Sequence, residues 1–258
     1  RGAPRSGRKC TRVGCHTEAS SAIVSPVLIN ETLRDEITGH LVAAIERTPL
    51  VRTPFDHINF SHAFPETVYA AMLAGLPPAD AYRPANMAKY MRADGRCSRG
   101  VADLGPSLGR VSSDTRDVWT AVHAALASDA LRRAVCATLR VPERGRPISR
   151  LVHDLPGYWI EPHPDTRAKH VTMQFYLAAD TNHQELGTAL YRLNPFRLEV
   201  LMRRASMMEK VGQFPFRPNT GYAFGVRWNS FHGVELIDEG AGDRHTLMNI
   251  YYRKDPRR

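Results

Sequence analysis

Seven short runs of β-type residues, at 149–153, 157–161, 169–177, 186–192, 198–203, 220–228 and 244–252, fill the second half of the chain with turns between them. Runs of this length cannot bury a face alone and must pair with one another, so they predict a closed or two-layered antiparallel sheet. The first half has a different texture. A helix is predicted from Asn30, a plausible N-cap, with Leu33, Ile37, Leu41, Ala44 and Ile45 on one face. The stretch 55–64 reads as a strand, and Pro65-Glu66-Thr67 opens a second helix to about Gly75. Ser113-Asp114 caps a third, with Val118, Trp119, Val122 and Leu126 inward; Ser128-Asp129 caps a fourth, to about Leu139. Helices first and strands second predict one domain, a mainly β sandwich or barrel with helices packed outside it.

Between the helices, 77–112 is rich in Pro, Gly, Arg and Ser without a clean period. It is too long for an ordinary connector and reads as a lid or substrate loop. Arg83, Arg92, Arg96 and Arg99 within it could meet an acidic substrate, although a solvated loop explains them as well. The expected organisation is a flexible basic tail at 1–20 and a single domain at 21–258, helical support at 21–147 and a β core at 148–252.

Charge sits at the ends. Of the net +9, residues 1–13 carry five positive charges and no acid, and 253–258 carry a net +3, so the body is close to neutral. This argues against nucleic acid as the main partner. No run of about 18 apolar residues is present, which argues against a membrane span, and no signal-peptide pattern is visible. Four cysteines are too few for a disulfide scaffold, so a reduced, cytoplasmic setting is expected. Cys10, Cys15 and His16 lack a second ligand pair at zinc-site spacing.

The chemistry concentrates in the β half. His163-Pro164-Asp165 follows the run GYWIEP; His232, in FHGVE, comes 67 residues after Asp165; Arg244-His245-Thr246 opens the last run, 12 residues after His232. The His-x-Asp tripeptide alone reads equally as a polar turn. With a distant histidine it fits two imidazoles and a carboxylate on one face of an octahedral metal, the other face open, which suits non-heme Fe(II). Residues i and i+2 of a strand point the same way, so Arg244 and Thr246 share a face, where a guanidinium fork beside a hydroxyl can clamp a carboxylate.

The segments PHPDT, VTMQFYL, LGTALY, FHGVE and RHTLMNIYY together resemble the core of the Fe(II)/2-oxoglutarate-dependent oxygenase superfamily, and most of all its prolyl-hydroxylase-like bacterial enzymes. The resemblance covers about 148–252. It implies a double-stranded β-helix, a jelly-roll or cupin-like core braced by the N-terminal helices, with His163, Asp165 and His232 as iron ligands. It implies that Arg244 pairs with the distal carboxylate of 2-oxoglutarate, with Thr246 beside it and Tyr176 a further contact. Thr172 and Gln174 share a side of their strand with Tyr176 and would line the cosubstrate pocket or touch substrate. Where many relatives have two glycines after FYL, this chain has Leu186-Gly187, a position of close backbone packing. Asp165 fills the place that halogenating relatives leave to chloride, so the chain resembles the hydroxylating majority.

The activity implied is hydroxylation of an unactivated C–H with Fe(II), 2-oxoglutarate and O2, releasing succinate and CO2. The substrate expected is a small molecule, acidic if the loop arginines meet it, in biosynthesis of a specialised metabolite or modified amino acid. A protein or peptide hydroxylase and a cupin-type metal-binding barrel without oxygenase chemistry are the alternatives. The other histidines, His153 and His245 among them, read as exposed or supporting residues.

Overall fold

A computed structural model describes residues 26–85, 90–92, 95, 97–196 and 207–254. The Cys10–Cys15–His16 cluster, the basic N-terminal tail, Arg96 and the run at 198–203 lie outside the described residues. The helices are α1 (Pro26–Glu46), α2 (Glu66–Ala74), α3 (Leu104–Ser107), α4 (Ser113–Leu126) and α5 (Asp129–Thr138). The strands are β1 (His57–Ser61), β2 (Arg83–Pro84), β3 (Arg99–Asp103), β4 (Arg146–Asp154), β5 (Ile160–His163), β6 (Lys169–Tyr176), β7 (Thr188–Leu193), β8 (Met208–Phe214), β9 (Thr220–Gly225), β10 (His232–Val234) and β11 (Arg244–Tyr252).

They form two antiparallel sheets. The larger has the order β1-β9-β6-β11-β4-β3-β2 and the smaller β5-β10-β7-β8. Strand alternation divides the larger sheet into two chemistries. Val171, Met173 and Phe175 of β6 and Leu247 and Tyr251 of β11 join a core with Ile37, Leu41, Trp119, Leu126 and Leu131 from the helices. Tyr176, Tyr222 and Phe224 point the other way and meet Leu186, Leu190 and Phe214 between the sheets. β6 is covered on both faces, which explains its nearly unbroken burial. The double-stranded β-helix expected above, braced by helices, is the architecture found.

Local chemistry fixes the helix starts. Ser128 caps α5, accepting a hydrogen bond from Leu131 N at 3.2 Å. Ser112, one residue before the expected position, caps α4 through Asp114 N. α1 starts at Pro26 rather than Asn30. Buried polar groups tie the layers: Trp119 Nε1 donates to Gly75 O at 2.9 Å, and Asn249 Nδ2 donates from β11 to Leu126 O at 3.0 Å.

Two differences from the sequence expectation matter. The described part of 77–112 supplies β2 and β3 at the edge of the larger sheet, with β3 paired along β4, rather than a structureless loop. β8 was not foreseen; its mostly half-exposed side chains, including Glu209 and Lys210, carry no apolar alternation.

Gly187 stands where two chain segments nearly touch: a Cβ there would lie 1.9 Å from Phe214 O, a backbone atom that cannot swing aside. Gly187→Ala is expected to lower stability by about 3 kcal/mol, at the upper end of overpacking costs. Urea denaturation measures this, and a midpoint equal to wild type would show that β8 retreats freely.

Candidate active site

β5 and β10 are paired so that His163 and His232 stand directly opposite each other. Their ring centroids are 4.7 Å apart, tilted by 42°. Each imidazole is held by its own chain: His163 Nδ1 bonds Glu161 O at 2.8 Å and His232 Nδ1 bonds Ser230 O at 3.0 Å. A carbonyl only accepts, so Nδ1 carries the proton on both rings and Nε2 keeps its lone pair for a metal. Asp165 follows β5 at once, and the three candidate ligand atoms lie within 4.8 Å of one another. Thr172 Oγ1 donates to Asp165 Oδ2 at 2.5 Å and Lys169 Nζ donates to Oδ1. Burial alone would raise the Asp165 carboxyl; Lys169, His232 and Thr172 together hold it below the ordinary carboxylate range. Burial pushes His232 down to about 4, against the pull of Asp165, so its ring is neutral near pH 7.

These residues line one end of a cavity of about 160 Å³ between the sheets. The other end holds a charged row across three strands. Arg99 of β3 faces Asp154 of β4, and Asp154 faces Arg244 of β11. Arg99 Nε and Nη2 donate to the two Asp154 oxygens at 2.6 and 2.8 Å, and Arg244 Nη1 donates to Oδ2 at 2.7 Å. Arg244 also donates to Leu186 O at 2.6 Å and Thr188 Oγ1 at 3.3 Å. Arg244 and Asp154 are fully buried. Two guanidiniums against one carboxylate leave a net positive charge in the lining of a polar cavity, where a ligand anion fits. Two buried hydroxyls beside this row, Thr246 Oγ1 and Tyr158 OH, have no hydrogen-bond partner among the described residues. Thr246 stands between Arg244 and Met248 on the same face of β11, and those two line the cavity.

The structure brings His163, Asp165, His232, Arg244, Thr172 and Gln174 to one cavity. Thr172 serves Asp165; Gln174 accepts a hydrogen bond from Tyr222 OH, which also bonds Thr188 Oγ1 at 3.0 Å. Tyr176 sits behind this wall. Its hydroxyl donates to Phe214 O at 3.0 Å and accepts from Thr188 N at 2.8 Å. Tyr222 and Tyr158 line the cavity, and Tyr176 does not. Asp154, Thr188 and Tyr222 escaped the sequence reading, and Arg99 enters it as a loop arginine rather than as part of this row. Asp154 left one signal, a lone acid ending a β-type run. Three of the loop arginines have carboxylate partners: Arg83 pairs with Asp103, Arg92 with Glu239 and Arg99 with Asp154.

A second group, His153, Asp243 and His245, also brings three ligand atoms within 4.8 Å. His153 and His245 are cross-strand partners on the helix-covered face. Their rings stack at 4.2 Å and 14°, so their in-plane lone pairs run parallel rather than converge, and His153 Nε2 is bonded to Asp243 at 2.7 Å. Burial, then the neighbouring His153, lowers His245 to about 4, below the usual imidazole value near 6.5. The unfolded chain therefore takes up this proton first as pH falls. The stability due to a neutral His245 is complete above about pH 6.5 and is lost progressively down to about pH 4. His232 titrates in the same window. In chelator-treated protein, His245→Gln is expected to reduce the stability loss between about pH 6.5 and 4, read from urea midpoints across pH. An unchanged slope would mean that His245 is not held neutral.

No protein-family profile matches the chain, and no curated protein matches it in sequence. Solved structures do match. A prolyl hydroxylase from Trichoplax adhaerens, in complex with a hypoxia inducible factor oxygen degradation domain peptide fragment, aligns over 88% of this chain and 92% of that one, with TM-score 0.52 and 12% identity. A prolyl-4-hydroxylase from Pseudomonas putida aligns over 84% and 99%, with TM-score 0.50 and 14% identity. At these identities the likeness is one of fold: the chain shares the double-stranded β-helix of the prolyl hydroxylases.

Proposed function

We propose that this chain is a non-heme Fe(II)- and 2-oxoglutarate-dependent dioxygenase that hydroxylates an unactivated C–H of a small molecule. One observation carries the reading: a single cavity joins two imidazoles and a carboxylate at one end to the buried Arg99–Asp154–Arg244 row at the other. His163, Asp165 and His232 would hold the iron. Arg244, with Thr246 and Thr188 beside it, would hold the distal carboxylate of 2-oxoglutarate, whose charge the row leaves uncompensated. When bound, Fe(II), 2-oxoglutarate and O2 supply the oxidising chemistry: the keto acid loses CO2 to become succinate, and the second oxygen atom enters the substrate C–H.

The protein's own part is positional. The Nδ1–carbonyl bonds hold both imidazoles in the ligating tautomer, and Thr172 orients Asp165. Phe224, 4.8 Å from the His232 ring, and Tyr222 form walls that limit water beside the reacting centre. No side chain is asked to act as a general acid or base.

A peptide substrate is the second reading, favoured by the prolyl hydroxylase fold and by the peptide fragment in the Trichoplax complex. A biosynthetic role follows from the small-molecule reading alone.

The test is anaerobic addition of Fe(II) and then 2-oxoglutarate, watching for the weak visible charge-transfer band of the chelate. The band is expected in wild type, lost in His163→Ala and His232→Ala, and weakened in Arg244→Ala. Metal binding without a band would overturn the reading in favour of a cupin-type site.

A further inference from the structure

A second depression shares a wall with the inner cavity. It measures about 650 Å³ and opens on the other side of Asp165, which lines both spaces. Its rim comes from three segments: Arg167 from the turn after Asp165, Arg227 and Trp228 from the turn before His232, and Arg253 from the end of β11. Three arginines thus line a depression that also reaches Asp165, whose carboxylate Lys169 and Thr172 already hold.

Their existing bonds leave capacity for a ligand. Arg167 pairs with no acid among the described residues. Arg227 meets Asp56 at 3.3 Å with its side chain half exposed, and Arg253 donates one Nε–H to Lys169 O at 3.1 Å. Trp228 presents its indole at 75% exposure on the same rim. One exposed tryptophan is ordinary; one set among three arginines, beside a candidate metal ligand, makes a surface for a flat body carrying an acid.

Resting on the oxygenase reading above, we propose that this cleft binds the substrate, and that the substrate is an anionic small molecule. Its acid group is held by Arg167, Arg227 and Arg253, and its flat or apolar body lies against Trp228. The size falls within the range of small-molecule sites. The division of labour is one of size: the inner cavity of about 160 Å³, with Arg244 in its lining, takes the small dicarboxylate, and the cleft of about 650 Å³ takes the larger partner, with Asp165 lining both. The acidic character is thus assigned to arginines that the sequence reading did not single out.

Calorimetric titration of the full chain, with Mn(II) and saturating 2-oxoglutarate to occupy the inner cavity, tests this with two probes of one shape, 1-naphthyl phosphate and 1-naphthol. The phosphate is expected to bind wild type more tightly than the naphthol. Arg167→Glu combined with Arg227→Glu should weaken the phosphate by at least about tenfold and leave the naphthol unchanged. Trp228→Ala should weaken both. Arg110→Glu, a distant exposed reversal, controls for overall charge. Equal affinity of the two probes, no binding of the phosphate, insensitivity to the double reversal, or equal weakening by Arg110→Glu would each overturn the proposal. So would a neutral proline-containing peptide that binds more tightly than the phosphate and ignores the reversal. The single variants Arg167→Gln and Arg227→Gln carry the test if the double variant does not fold. The chelate band separates the two readings: a band that persists in the double variant while phosphate binding is insensitive defeats the anionic substrate alone, and a band absent from wild type defeats the oxygenase reading.

Discussion

Asp154→Ala is expected to cost about 3–5 kcal/mol of folding stability, because it removes the one carboxylate shared by two guanidiniums and strands buried charge. Arg244 has no exposed surface through which to recover solvent, and Arg99, only 16% exposed, has little. Urea denaturation gives the number. 2-Oxoglutarate, which on the functional reading brings a carboxylate to the same charges, should raise the variant's midpoint more than that of wild type. A variant as stable as wild type would mean that the arginines find other partners, and the row would lose its place at the centre of the site. Asp154→Asn separates charge from shape: it keeps the volume and one accepting oxygen, and should fall between the two.

The second large effect concerns turnover. Asp165→Ala should lower succinate release by on the order of 10³-fold or more, the loss expected when a metal's several kcal/mol of charge stabilisation are disturbed. Fe(II) affinity should fall with it. Stability should change far less than in Asp154→Ala, since the Asp165 side chain sits beside a cavity rather than in packed core. The contrast between two acids in one site is the informative part: on the functional reading, Asp154 chiefly holds the fold and Asp165 chiefly serves the chemistry. Succinate release near the wild-type rate in Asp165→Ala would remove it from the ligand set.

The legibility of the chain follows from how local each feature is. β6 and β11 could be read because alternation is written into consecutive residues, and the same alternation placed Arg244 and Thr246 on one face. The spacing of His163, Asp165 and His232 was legible because a turn and a strand end carry two of the three. What escaped depends on register between distant strands. Nothing near Arg99 says that it will lie opposite Asp154, 55 residues away, or that Asp154 will lie opposite Arg244. Tyr176 and Tyr222 show the same limit. Alternation put Tyr176 on the inner face, but only the packing of Phe214 and Thr188 against it decides that its hydroxyl serves the main chain while Tyr222 reaches the cavity. The 77–112 segment carried too little periodicity to reveal strands, because β2 spans two residues and β3 is half exposed.

β3 has a consequence for where the catalytic unit ends. The motif-bearing region from 148 onward looks like a portable module, yet one wall of its anion pocket is borrowed from residue 99, and the outer surface of its main sheet is finished by Trp119, Leu126 and Leu131. Cut free, that region would keep His163, Asp165, His232 and Arg244 while exposing Met173, Phe175 and Leu247 to water and leaving Asp154 with half its partners. The smallest autonomous version of this site is therefore not the segment that carries its signature, and transplanting the activity would require moving the helices and the edge strand with it.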